Sequence, residues 1–239
     1  MAPKQTGFLY VVATPIGNPR DITLRAIDVL GEVEAVLCES QGETQKLLKQ
    51  IGVTAKVWPL YKDLSDTPYQ SILKGIKEGK SFALVSDAGT PGISDPGSGL
   101  VRVVREAGLP VVPVPGASAL SALLSVSGFQ TNPTLFLGFL SEKPSKKRKE
   151  LEEAQKTEGL VVFYESVHKL PRLYPLLQEL FADTEIMVGR ELTKPYEEIK
   201  LYPNPEALVS APPMAKGEFV FLLNHRKKTL KGISESSDT

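Results

Sequence analysis

The stretch Val85-Ser-Asp-Ala-Gly-Thr-Pro-Gly-Ile-Ser-Asp-Pro-Gly97 decides the fold class of this 239-residue chain. The apolar run Phe82 to Val85 leads into it, and a helical pattern that runs to Ala107 and stops at Gly108 leads out of it. Asp95-Pro96 reads as the start of that helix, an N-cap followed by proline at the first helical position. Connections between a strand and a helix usually take about 2–6 residues, so this one is long for that task. Its glycines and prolines hold the backbone out of regular structure while leaving N–H and C=O groups free. In a parallel α/β sheet such a loop lies at the carboxyl ends of the strands, where ligands bind. The stretch therefore predicts a ligand-binding loop.

Two further loops share its character. Ala13-Thr-Pro-Ile-Gly-Asn-Pro-Arg20 follows the apolar run Phe8 to Ala13, with Gly17 and Asn18 suited to a tight turn. Val114-Pro-Gly-Ala-Ser118 follows Val111 to Val114, and Ser118 can cap the helix after it. Further strands are predicted at Ala35 to Leu37 and Lys56 to Leu60. Most are short, apolar and continuous, as strands covered on both faces are. Helices begin at Asp21 and at Thr67-Pro68. The alternation gives a mostly parallel α/β sheet, with the three loops at one edge.

Beyond Gly128 the pattern predicts strands at Thr134 to Leu140, Leu160 to Tyr164, Glu185 to Arg190, Glu197 to Tyr202 and Phe219 to Leu223. Helices fit near Lys146 to Lys156, Pro171 to Phe181 and Pro205 to Ser210. Two strands separated only by Leu192 to Tyr196 suggest a hairpin and hence a mixed sheet. The expected organisation is two α/β domains, 1–117 and 118–225, with a polar, frayed tail over 226–239. Trp58 and Phe129 are expected in cores.

Composition narrows the function. The 28 basic and 28 acidic residues cancel, so no overall field steers the chain to nucleic acid or to a membrane. One cysteine, Cys38, leaves no intramolecular disulfide or cysteine-cluster metal site, and His168 and His225 have no ligand-like spacing. No metal is expected. The run Phe8 to Ala13 is far short of a membrane span and lacks the flanks of a signal peptide, so a cytoplasmic protein without membrane attachment is expected. Gly97-Ser98-Gly99 fails the dinucleotide fingerprint because Arg102 stands where the third glycine belongs. Gly75-Ile-Lys-Glu-Gly-Lys-Ser81 is one residue too short for a phosphate loop and ends a helix rather than opening one.

The segments Leu9 to Asn18, Ser86 to Gly97 and Val114 to Ser118 resemble the tetrapyrrole (corrin/porphyrin) methylase superfamily. Within it they are most similar to the 16S rRNA small-subunit 2′-O-methyltransferase I family. The likeness continues through Phe163-Tyr-Glu-Ser-Val-His168, Gly189-Arg-Glu-Leu-Thr-Lys194 and Lys216-Gly-Glu-Phe-Val220, covering about residues 7 to 224. The resemblance implies a class III S-adenosyl-L-methionine (SAM) methyltransferase: two α/β domains with the cofactor in the cleft between them, usually a homodimer. By motif, the cofactor contacts would be Pro15, Asp87, Thr90, Gly92, Ile93, Ser118, Tyr164 and Ala215. Asp87 either binds the amino group of the cofactor or shapes its own loop as an Asx turn. The implied substrate is a cytidine 2′-hydroxyl of 16S rRNA in the assembled small subunit. Alternatives are a small tetrapyrrole or corrinoid acceptor, or a catalytically inactive SAM- or RNA-binding relative. One departure stands out: the rRNA enzymes typically read Glu-Asp-Thr-Arg where this chain has Glu39-Ser-Gln-Gly42.

Methylating a ribose hydroxyl needs in-line positioning and a proton acceptor. Glu39 or Glu191 is the candidate base, and Arg190 or Lys194 the candidate phosphate anchor. The competing expectation is that these groups pair with each other. His168 reads as a helix-start or interface residue rather than a catalyst. Lys146, Lys147, Arg148 and Lys149 form the one concentrated basic run. They are expected either to touch rRNA phosphates or to form a solvated helix face with Glu150, Glu152 and Glu153 as partners.

Overall fold

The computed structural model describes residues 6–60, 66–95 and 97–225, without the side chains of residues 66–68. The expected tail 226–239 and the cap pair Thr67-Pro68 thus lie outside what it describes, apart from the helical backbone at the latter.

Five parallel strands build the first sheet: β1 (Leu9–Val12), β2 (Ala35–Cys38), β3 (Val57–Pro59), β4 (Phe82–Leu84) and β5 (Val111–Val114), in the order β3-β2-β4-β1-β5. The helices between them are α1 (Leu24–Glu32), α2 (Gln41–Gln50), α3 (Asp66–Lys77) and α4 (Ser98–Glu106). Both faces are covered, which explains the continuous apolar strands. On one face Leu9, Leu37, Phe82 and Leu84 pack with Ile72 and Ile76 of α3 and Leu100 and Val104 of α4. On the other, Val12, Val36, Ala83 and Val114 pack with Ala26 and Leu30 of α1 and Leu48 of α2. Trp58, expected in a core, is only partly covered on edge strand β3, its ring tilted against Phe82 at 5.6 Å.

Two helix starts differ from the sequence expectation. Thr23, not Asp21, caps α1, its hydroxyl accepting from the Ala26 N–H at 3.2 Å. Asp21 instead ends a short 3-10 turn, Pro19–Asp21, capped by Asn18. The other start moves from Asp95-Pro96 to Gly97, which precedes Ser98 of α4 with φ 126°, a conformation that glycine alone adopts readily.

The second sheet has the order β6-β7-β10-β8-β9, from β6 (Thr134–Phe139), β7 (Gly159–Ser166), β8 (Glu185–Arg190), β9 (Glu198–Tyr202) and β10 (Glu218–His225). β6 and β7 run parallel and the remaining pairs antiparallel, so the sheet is mixed, and β8 and β9 form the expected hairpin. The accompanying helices are α6 (Pro144–Gln155), α7 (Leu170–Leu180) and α8 (Pro205–Ser210), after α5 (Ala119–Val126). Leu151, Leu173, Leu177 and Leu208 from α6, α7 and α8 cover Val161, Phe163, Val188, Phe219 and Phe221.

The chain divides into two compact units, Met1–Ala122 with Leu192–Glu197, and Leu123–Glu191 with Glu198–Thr239. The turn of the β8–β9 hairpin therefore groups with the first unit while its two strands belong to the second.

Candidate functional site

β1, β4 and β5 are parallel neighbours, so the loops that follow them leave the sheet at the same edge. The backbone ties these loops together. Thr14 and Gly89 exchange two hydrogen bonds, N–H to O at 2.8 Å and 3.1 Å. The buried Thr14 hydroxyl donates to the Ser86 carbonyl at 3.0 Å, and the Thr90 hydroxyl donates to the Ala117 carbonyl at 3.1 Å. Gly89 holds φ at 82°, and a Cβ there would meet Ile16 Cγ2 at 3.3 Å. The three loops are thus one interlocked platform.

Of the residues the sequence assigns to the cofactor, Pro15, Thr90, Ile93 and Ser118 are half-buried on this platform, while Asp87 and Gly92 are exposed. Tyr164 and Ala215 lie in the second unit. Tyr164 is on β7, edge-on to Phe136 and Phe139 at 5.1 and 5.3 Å, and Ala215 is exposed before β10. Asp87 forms no Asx turn. Its two carboxylate oxygens accept from the backbone N–H of Ser40 at 3.2 Å and from the Ser40 hydroxyl at 2.6 Å. The loop after β2 thereby joins the platform through Ser40, in the segment that departs from the rRNA-enzyme pattern.

The platform suits an S-adenosyl group. A carboxylate accepts about four hydrogen bonds, so Asp87 keeps capacity for an ammonium or ribose hydroxyls beyond its two bonds to Ser40. Gly92, at φ 85°, has open space where a side chain would stand.

The other expected residues have definite partners. Arg190 is buried, donating from Nε to Glu198 at 3.0 Å and from a terminal nitrogen to the Lys216 carbonyl at 3.1 Å. Glu198 lies below the ordinary carboxylate range, held there first by its hydrogen bond to Lys200 and also by that to Arg190, against the opposing effect of burial. The Glu191 carboxylate accepts the Glu218 N–H at 3.0 Å and lies against Gly217. Lys194 packs its side chain over Gly17. Glu39 is exposed at the end of β2, beside Ser40. His168 is exposed in the short turn Val167–Lys169 ahead of α7.

The basic run does not form one patch. Lys147 is buried and paired with Glu165, whose other oxygen accepts the Ser166 N–H at 3.0 Å. A buried lysine so paired offers nothing to a phosphate. Arg148 binds Glu179 through two bonds of 2.5 and 2.7 Å, a fork that holds the Glu179 carboxyl below its usual range. Lys146 lies 3.9 Å from Glu150. Lys146 and Lys149 remain exposed.

Sequence reasoning missed Thr14, Ser40, Ser86 and Gly89 as organisers. Thr14 carried a local signal, a hydroxyl between an apolar strand and Pro15. Ser40 carried none, because its partner is 47 residues away.

A family model described as Tetrapyrrole (Corrin/Porphyrin) Methylases matches residues 8–206. The chain belongs to the tetrapyrrole methylase family. Membership makes it a methyltransferase, and the matched span contains the whole loop platform. The Ribosomal RNA small subunit methyltransferase I of Leptospira biflexa serovar Patoc is 68% identical over 235 residues, covering 98% of each chain. The protein of that name from Coprothermobacter proteolyticus is 42% identical, covering 90% of this chain and 96% of its own. Among solved structures, the methyltransferase CobJ superposes with a TM-score of 0.68 at 19% identity, covering 96% of this chain and 98% of its own. The cobalt precorrin-4 methyltransferase CbiF gives 0.67 at 17% identity, covering 90% and 94%. These two likenesses are of fold.

Among the described residues, no helix is long and apolar enough to cross a membrane, and no three His, Cys, Asp or Glu side chains are grouped to hold a metal ion.

Proposed function

We propose that this chain transfers a methyl group from SAM to the 2′-hydroxyl of a cytidine in 16S rRNA of the small ribosomal subunit. The observation that carries this reading is the 68% identity, over nearly the whole of both chains, to a relative named Ribosomal RNA small subunit methyltransferase I. Pro15, Asp87, Thr90, Gly92, Ile93 and Ser118 hold the cofactor in this reading. Bound there, SAM supplies an electrophilic methyl group on a sulfonium. The ribose oxygen forms the new C–O bond as the S–CH3 bond breaks, leaving S-adenosylhomocysteine, and the hydroxyl proton passes to a carboxylate. Glu39, which adjoins Ser40 at the platform, and Glu191, which accepts from Glu218, are the candidate bases. Lys146 and Lys149 are the members of the basic run left exposed to meet rRNA phosphates, with salt-dependent affinity. The protein works as a homodimer in the cytoplasm.

The test is to map the transferred label. A 2′-O-methyl group makes the adjacent phosphodiester resistant to alkali, so an alkali-stable cytidine dinucleotide from 16S rRNA is expected. Label on a base, or on a free tetrapyrrole, would overturn the assignment.

A further inference from the structure

We infer that the loop Leu192–Glu197 is a substrate-binding element that presents Tyr196 to an unstacked base of the RNA; this rests on the RNA reading above.

The first observation is where the loop sits. Although it joins β8 to β9, it groups with the first unit, on the loop that follows β1. The Asn18 N–H donates to the Thr193 hydroxyl oxygen at 3.0 Å. A Cβ on Gly17 would lie 2.5 Å from Lys194 Cγ, 2.8 Å from the Leu192 carbonyl oxygen and 2.8 Å from Thr193 Oγ1. Only glycine allows that approach, so the backbone of the first loop lies directly against the Leu192 carbonyl and the Thr193 and Lys194 side chains. Gly17 is two residues from Pro15, a cofactor-holding position in the proposed reading.

The second observation is that the loop is braced. The Glu197 carboxylate accepts the Thr193 N–H at 2.6 Å, and the Glu197 N–H donates to the Lys194 carbonyl at 3.0 Å. Thr193 sits at φ 64° and Glu191, just before the loop, at φ 50°. Side-chain-bearing residues rarely hold such angles unless their surroundings impose them. Leu192 is buried as an anchor.

The third observation is what this braced loop displays. Tyr196 is 77% exposed, beside an exposed Pro195 and two residues from Lys194. A pre-ordered loop carrying an exposed aromatic ring has the chemistry that takes an unpaired nucleotide, whose base stacks on the ring. The loop that carries Tyr196 lies on the loop that follows β1, which holds Pro15 of the proposed cofactor site.

Two measurements test this. The first is steady-state kinetics on purified small subunits that lack the modification. Tyr196→Ala should raise KM for the subunit by about ten-fold or more, leave kcat within about two-fold, and leave SAM affinity unchanged. Tyr196→Phe should behave as wild type, because stacking needs the ring and not the hydroxyl. The second is binding of a short dye-labelled oligocytidylate, followed by the anisotropy of the dye, which depends neither on turnover nor on the tyrosine itself. It should weaken about ten-fold in Tyr196→Ala and not in Tyr196→Phe. Wild-type binding of the oligonucleotide by Tyr196→Ala would overturn the inference, as would equal losses in the two variants, which would point to a role of the hydroxyl in the loop. Tyr196-dependent binding by an enzyme that methylates no subunit would keep the inference and overturn the rRNA reading instead.

Discussion

Ser40 gives both of its donors to Asp87: its N–H reaches one carboxylate oxygen at 3.2 Å and its hydroxyl the other at 2.6 Å. Ser40 stands at the N-cap of α2 yet does not cap that helix. A serine cap contributes about 1 kcal/mol to a helix, so a local gain is forgone for a bond across the platform. Through this pair the loop after β2 fixes the Asp-Ala-Gly-Thr-Pro loop, although Glu39-Ser-Gln-Gly42 departs from the pattern of similar enzymes.

Ser40→Ala keeps the backbone bond and loses the other. For an exposed, charge-assisted bond the expected loss is about 1 kcal/mol, or roughly five-fold weaker SAM binding by calorimetry. Ser40→Asp sets a like charge against Asp87 and should weaken binding further, with partial recovery as the pH is lowered. Wild-type affinity in both variants would mean that Asp87 does not need this partner.

Gly92 and Gly97 should separate binding from stability. Gly92→Val meets open space, so only the backbone strain of φ 85° opposes it, about 1–2 kcal/mol. SAM binding should be lost with the fold retained. Gly97→Ala places a Cβ 2.8 Å from Leu84 Cδ2 at φ 126°, inside the core of the first sheet. Its urea midpoint should fall by more than that of Gly92→Val.

The buried pair of Lys147 with Glu165 makes the middle of the basic run a matter of stability. Lys147→Met leaves a buried carboxylate without its cation, and a loss of about 3–5 kcal/mol by urea denaturation is expected. The double change with Glu165→Leu should recover most of it. Lys146→Gln and Lys149→Gln should each cost less than about 0.5 kcal/mol and instead flatten the salt dependence of subunit binding.

Acid should loosen the Arg190 cluster. Glu198 is held below its ordinary value in the folded state, so its contribution is present above the unfolded carboxylate pKa and is lost as pH falls through the lower folded one. Thermal stability of wild type should therefore decline below the ordinary carboxylate range more steeply than that of Glu198→Gln. Parallel curves would show that this carboxylate contributes no linkage.

The strands and the three loops were legible because a doubly covered parallel strand is a run of apolar residues, and because glycine and proline mark where such runs stop. Helix α2 left little mark: only Thr44 and Leu48 are buried in it, so it lacks a readable apolar stripe. The two misplaced helix starts share a cause. Asp21 and Asp95 are good caps by composition, but Thr23 and Gly97 hold the backbone angles that the entering chain needs. At the site, residue types pointed to the platform, whereas pairings did not. The Ser40–Asp87 and Asn18–Thr193 bonds join residues far apart in sequence, whereas the burial of Lys147 had one local mark, its helical phase with the buried Leu151 and Ala154, which Lys146 and Lys149 do not share.

The most direct test of the central claim is methyl transfer from labelled SAM, offered side by side to small ribosomal subunits from a strain lacking this modification and to free precorrin-type tetrapyrroles. Label on a cytidine ribose of 16S rRNA, lost in Gly92→Val, is the expected result. Label on the tetrapyrrole, or on neither acceptor while SAM still binds, would contradict it.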